Sequence, residues 1–438
     1  MPSPRVSVFL AAYNHARFLP ECLDSILAQT YRDFEIVVVD DGSGDDSHEI
    51  LTDYQRRFSE RIHYLWHPGH VRRGISASCN LALAHARGEY LAWIGSDDLW
   101  YPETLARQVA RLDAYPDQGL VYGYAHFIDT SGNLLPGLYG VDISREQNPI
   151  ARMIQSCHPP AMTVMVRREC LERVGLFDET LVYSDWELWL RVLAHWKPGF
   201  VSEALARYRI HGRNVSKGID PHLDLQRTLE VMLAVRNKAA AVGGGLMHPR
   251  NRALLDLQIA FLLFCSGREE EAIRNLHRAF EQDPTLSRDA EYFSEWLSAW
   301  KPDFYTVAHP QYGLWAIAHL SQDSSAAFRK RVTALLLASE DARSFFIKRG
   351  IETGLKQEKA GALDMIFDDC PQGIVLPRAW RAGIMREIYA ALLFKTAESG
   401  NSSKTRYYWT KAVRHDPSWL LNRGVWSIAV RAFAARRT

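Results

Sequence analysis

Through its first 130 residues the chain alternates short apolar runs with stretches in which apolar residues recur at helical spacing. VSVFLA (6–11), FEIVVVD (34–40), RIHYL (61–65) and EYLAWIG (89–95) read as four strands. Between them Leu19, Cys22, Leu23, Ile26 and Leu27 share one helical face, with Pro20 suited to a first turn. Ile50, Leu51, Tyr54 and Phe58 mark a second helix, and residues 75–86 a third. Strands that are apolar on both faces and separated by helices predict an α/β fold: a nucleotide-binding-type mixed sheet flanked by helices.

Past residue 130 the pattern is mixed. TSGN (130–133) is a turn, MTVMVR (162–167) a strand, RRECLERVG a short helix, SDWELWLRVLAHW (184–196) an amphipathic helix, and FVSEALARYRIH (200–211) strand again. Residues 221–241 are helical until the glycines at 243–245. These changes place a first domain at 1–218, a helical linker at 219–250, and an all-α helical-hairpin domain at 251–438. In that last part Ala260, Gly267, Ala272, Leu276, Ala279 and Pro284 sit at offsets resembling a tetratricopeptide repeat. Gly400, Ala412 and Asp416-Pro417 reproduce the offsets of Gly267, Ala279 and Asp283-Pro284, so two repeat-like hairpins are expected, and with them a surface for a protein partner.

Charge and cysteine usage narrow the class. A net charge of +1 over 438 residues lacks the basic excess that phosphate contacts need, so no nucleic-acid partner is expected. Six cysteines stand far apart without metal-ligand spacing and read as reduced thiols of a cytoplasmic protein. MPSPRVSVFLAAYN resembles neither a signal peptide nor an anchor, and no run reaches the length of a membrane span. The stretch WLLNRGVWSIAVRAFAARR, with Arg423, Arg431, Arg436 and Arg437, suits either a last packed helix or a peripheral contact with an anionic membrane at its inner face.

The candidate chemistry sits at strand ends. Asp40 and Asp41 close the second strand; Asp97 and Asp98 follow the fourth. Helix capping explains any one such pair. Two pairs meeting at one sheet edge, where ligands of such sheets bind, repel each other unless a cation or hydrogen-bond donors intervene.

VSVFLAAYNHARFLPECLDSILAQTYRDFEIVVVDDGSGDDS resembles the opening of family 2 glycosyltransferases of the GT-A fold. The likeness continues through RGISASCNLALAHARGEYLAWIGSDDLWYPETL and HPPAMTVMVRRECLERVGLFDETLVYSDWELWLRV to YRIHGRNVS, covering residues 5–217. It implies an inverting enzyme that moves a sugar from a nucleotide-sugar donor, UDP or dTDP favoured, to a glycan, lipid-linked or protein acceptor, in the manner of cell-surface polysaccharide synthesis. By resemblance Asp40 accepts a hydrogen bond from the donor base, with Ala12, Tyr13 and Asn14 forming the loop beside it and Asp41 adjoining. Ser96-Asp97-Asp98 stands at the family's DxD motif, with Ser in the first position. Asp98 is then the ligand of Mg2+ or Mn2+ on the diphosphate, and Asp97 faces the ribose or the sugar. Asp185 matches the acidic residue of the family's ED motif and becomes the general base, Ser184 replacing the usual Glu; the plainer reading of Asp185 is a helix cap. Glu187 is a supporting candidate. His211 approaches the metal or diphosphate, or is structural. Arg72 and Arg73 reach a donor phosphate, or are solvated loop residues.

Of the large aromatics, Trp93 and Trp189 read as core, while Trp100 and Trp186, beside the acids, are candidates for stacking on a sugar. A catalytically inactive, nucleotide-binding helical-repeat interaction protein is the alternative reading. A dinucleotide oxidoreductase is excluded, because VFLAAYNHARFL has no GxGxxG.

Overall fold

The computed structural model describes residues 3–212, 214, 221–298 and 378–415, with isolated positions between 315 and 355 and position 428. Asp416-Pro417, Cys370 and the arginines of the C-terminal stretch lie outside the described residues. The chain divides into two compact units, 1–283 and 284–438.

The first unit is built on one nine-stranded sheet. Strands β1 (Val6–Ala12), β2 (Phe34–Asp40), β3 (Ile62–Trp66) and β4 (Tyr90–Trp93) run parallel in the order β3-β2-β1-β4. Each lies where the apolar runs predict it. Their connections carry helices α1 (Leu19–Leu27), α2 (Ser47–Arg57) and α3 (Ile75–His85). Val6, Val8, Leu10, Ile36 and Val38 are fully buried against Leu19, Leu23 and Ile26. Each such aliphatic side chain contributes roughly 1.5–3 kcal/mol on leaving water. Two polar residues interrupt the apolar strands: Ser7 Oγ donates to Glu35 Oε1 at 2.6 Å, and Arg87 closes the cluster with Nε donating to Glu35 Oε2 at 2.8 Å.

Beyond β4 the sheet becomes mixed. β6 (Gln118–Ile128) pairs antiparallel with β8 (Met165–Arg167) and with the edge strand β7 (Leu134–Tyr139), and parallel with the long β9 (Lys197–Arg209); the two-residue β5 (Leu99–Trp100) pairs antiparallel with β9. β6 and β7 flank the expected TSGN turn, where Asp129 N–H donates to Asn133 C=O. α4 (Thr104–Ala114), α5 (Pro149–Gln155), α6 (Arg168–Val174) and α7 (Ser184–Leu193) complete the layers.

Helices α8 (Pro221–Val242), α9 (Pro249–Cys265) and α10 (Glu269–Gln282) belong to the same compact unit. Lys238 of α8 donates to Asp178 at 2.6 Å, and Asn148 Nδ2 donates to Asn251 of α9 at 2.6 Å. α9 and α10 form the first expected hairpin: Ala260, Ala272 and Ala279 are fully buried between them. In the second unit the helices Arg378–Glu398 and Ser402–His415 form the other, around Ile388, Leu392 and Ala412. The two turns share one geometry. Gly267 and Gly400 both sit at φ +72°, and the next residue donates its N–H five positions back, Arg268 to Leu263 and Asn401 to Thr396. Among the described residues no helix is long and apolar enough to cross a membrane.

Candidate active site

The parallel strands end level with one another, since Ala12 pairs with Asp40 and Asp40 with Trp66. Two loops at this edge are laced together: Asn14 N–H donates to Ser43 Oγ at 2.9 Å, Gly44 N–H to Asn14 Oδ1 at 2.7 Å, and Ala16 N–H to Asp45 at 3.0 Å. Asn14 adopts φ +53°, a left-handed conformation that Asn tolerates better than most residues. Ala12 is buried beneath the loop. Asp40 forms the floor of this edge, buried, with Oδ1 accepting Ser43 N–H at 3.0 Å.

Its neighbour Asp41 is committed to the protein. The buried carboxylate accepts Arg73 N–H at 2.7 Å, Gly74 N–H at 2.9 Å and Ser78 Oγ–H at 3.1 Å, which fixes the start of α3. The Arg72 guanidinium lies over the Tyr13 ring, 4.2 Å from its centroid, with Nε 3.8 Å from Asp41. The Arg73 side chain is exposed.

The Ser96-Asp97-Asp98 turn separates its two carboxylates. Asp98 is buried, and its Oδ1 accepts Arg209 N–H at 2.9 Å. Burial, then the adjoining Asp97, push the Asp98 carboxyl well above its ordinary value. Asp97 stays partly exposed and accepts from His211 Nε2 at 2.9 Å. His15 adds a third group: ligand atoms of His15, Asp97 and His211 all lie within 4.8 Å of one another. The sequence places the cation on Asp98 and turns Asp97 toward the sugar; in the structure Asp97 is the carboxylate that lies with His15 and His211, and Asp98 the one taken up by Arg209. The reason is local, because Asp98 leads directly into β5 and the neighbouring β9 takes up its carboxylate. Neither Asp caps α4, whose N-cap is Glu103.

Asp185 is the second residue of α7, behind an N-cap at Tyr183 that makes no side-chain capping bond. Ser184 Oγ is hydrogen-bonded to Ser76 Oγ at 2.7 Å, so α7 starts against the same first turn of α3 that Asp41 anchors. Burial pushes the Asp185 carboxyl above its ordinary value of 3.8, the Trp186 N–H partly offsetting it. Glu187 is a structural residue, wholly buried, accepting from Arg191 Nε at 2.8 Å and Lys238 Nζ at 3.1 Å. The two tryptophans proposed as sugar platforms are core: Trp100 is 1% and Trp186 7% exposed, their indole N–H groups donating to Met162 and Met153 carbonyls.

Three residues of this region escaped the sequence reading. His15 follows Asn14 in the β1 loop, and that placement was the available signal. Arg209 is fully buried, two positions before His211, with Nε donating to Asp97 C=O at 2.8 Å and a terminal N–H donating to Glu21 at 2.6 Å. Tyr139, on the edge strand, stacks on Phe127 with centroids 5.9 Å apart, and its phenol is pushed up by burial with smaller contributions from neighbours that include Asp185 and Asp98.

A model of the family described as Glycosyl transferase family 2 matches residues 7–175. An uncharacterized glycosyltransferase of Methanocaldococcus jannaschii is 32% identical over 222 residues, 49% of this chain and 73% of the relative. The chain belongs to glycosyl transferase family 2. Another relative, an uncharacterized glycosyltransferase of Rickettsia typhi, is 31% identical over 221 residues, 48% of this chain; the match spans 65% of that relative's length. The family 2 model stops short of Asp185 and His211. Among solved structures, Staphylococcus aureus TarS 1-349 in complex with UDP-GlcNAc is 18% identical with a TM-score of 0.48, covering 78% of this chain and 92% of that one. At that level the likeness carries no argument about the site.

Proposed function

We propose that this family 2 chain is an inverting glycosyltransferase that moves a sugar from a nucleotide-sugar donor to a hydroxyl of a glycan, lipid-linked or protein acceptor, as in cell-surface polysaccharide synthesis. The observation that carries the reading is the His15, Asp97 and His211 cluster at the sheet edge that also holds Asp40. Asp40 accepts from the donor base, which suits the imide N–H of uracil or thymine. Tyr13 and Asn14 border that seat, and Arg72, held over Tyr13, offers its guanidinium to the donor.

A divalent cation fits the cluster on the chemistry of its donors. Two imidazoles and one carboxylate favour Mn2+ over Mg2+, which prefers oxygen ligands throughout. When bound, the ion neutralises charge on the diphosphate.

Asp185 takes the proton from the acceptor hydroxyl. The acceptor oxygen forms its bond to the anomeric carbon as the bond from that carbon to the diphosphate oxygen breaks, the electron pair leaving with the nucleotide diphosphate. A carboxyl whose pKa is raised is a stronger base than a solvated one, which suits this role. The helical hairpins at 249–282 and 378–415, tetratricopeptide-like in their turns, supply a surface for a protein partner.

Calorimetric titration of UDP, dTDP and GDP, with and without Mn2+, tests the reading. One nucleotide should bind in a metal-dependent way, and Asp97→Ala should abolish the dependence. A folded protein that binds none of the three would leave the inactive, partner-binding alternative.

A further inference from the structure

A second group of ligand-type side chains lies at the ends of β2 and β3, away from the His15 cluster. Asp40, His48 and His70 come from β2, the first turn of α2 and the β3–α3 loop, and their ligand atoms all lie within 4.8 Å of one another. Asp40 is buried, His48 half-buried and His70 exposed, so the group is anchored from below and open to solvent above.

His48 is held by Tyr64, whose hydroxyl lies 2.8 Å from His48 Nδ1. When Nδ1–H donates to that hydroxyl, the lone pair is on Nε2, the form in which an imidazole ligates a metal.

His70 is held by backbone and ring contacts. It adopts φ +52°, and its ring stacks on Trp66 at 5.0 Å with planes 13° apart, while its face meets His48 at 5.4 Å. Gly42, itself at φ +75°, lets this loop close down: a Cβ there would lie 2.8 Å from His70 O and 2.7 Å from Arg72 N. The ligand-bearing loop is consequently fixed against the strand end that carries Asp40.

We propose that Asp40, His48 and His70 form a second metal site, selective for a late first-row divalent ion such as Zn2+ or Co2+. Two imidazole nitrogens and one carboxylate oxygen, with a fourth position open, match the donor set of three-ligand zinc sites. A metal there occupies the carboxylate assigned above to the donor base, so the filled site excludes the donor; this consequence, unlike the site itself, rests on the functional reading.

The test is a count of tightly bound Co2+ by equilibrium dialysis on the full chain, wild type against His48→Gln and His70→Gly. Glycine keeps the left-handed backbone at 70, and glutamine retains a helix-forming polar side chain at 48. Each variant should bind one Co2+ fewer than wild type. A wild-type count in either variant, with circular dichroism unchanged, overturns the site; should His48→Gln fail to fold, His70→Gly decides alone. The count involves no nucleotide, so it succeeds or fails independently of the donor titrations.

Discussion

His211 Nε2 donates to Asp97 Oδ2 at 2.9 Å, although 114 positions separate the two residues. The contact forms because β9 runs beside β5 and Arg209 clamps the intervening turn, bonding to Asp97 C=O and, through its N–H, to the Asp98 carboxylate. One strand thereby sorts two adjacent acids into different tasks.

That sorting separates two substitutions. Asp97→Ala should remove metal-dependent nucleotide binding and leave thermal stability nearly unchanged. Asp98→Ala should lower stability by about 1–3 kcal/mol, because it strands a buried N–H of Arg209. Differential scanning calorimetry paired with Mn2+ titration reads both; equal effects of the two substitutions on Mn2+ binding would reject the division.

Asp185→Asn should reduce donor turnover by about 10²- to 10⁴-fold while nucleotide binding persists. In the wild type the base works only when deprotonated. Its pKa is raised, so the rate should fall on acidification with a midpoint above 3.8. A pH profile of kcat that is flat through that region would remove Asp185 as the base.

His158 predicts a pH-dependent stability. Burial, then the nearby Arg152 charge, push its imidazole down from 6.5 to about 4, and its Nε2 lies 3.1 Å from Arg152 C=O. Between those values the folded chain binds fewer protons than the unfolded one. Its contribution is therefore fully present above 6.5 and is lost as pH falls toward about 4. Thermal unfolding followed across this window should show a smaller decline in His158→Gln than in wild type.

Gly267→Ala and Gly400→Ala isolate a backbone cost. No atom lies within 4 Å of a Cβ placed at either position, yet both residues sit at φ +72°. Each substitution should destabilise its hairpin by about 1–2 kcal/mol through strain alone. Chemical denaturation monitored in each variant checks the figure, and a neutral result would mean the turn relaxes.

The strands β1, β2 and β4 were legible because each is an apolar run buried on both faces, and the edge strand β3 because Ile62 and Tyr64 alternate into the core. The short β5, the long β6 and the edge strand β7 went unread: two residues carry no period, QGLVYGYAHFI breaks its apolar run with Gly and His, and an exposed edge need not alternate. The paired acids were visible as a pattern, and their convergence followed from the α/β layout. Their individual roles did not. Asp97 and Asp98 are chemically identical, and only the neighbouring β9 decides which one is buried under Arg209 and which meets His15 and His211. Trp100 and Trp186 show the same limit, since position beside an acid says nothing of which face of the element is covered. The amino-acid sequence by itself determined the order of elements through β4, the family resemblance and the strand edge at which the chemistry gathers, because apolar periodicity and turn residues act over a few positions. Tertiary structure alone decided which side chains share that edge, because burial and hydrogen-bond partners are set by strands and loops far away in the chain.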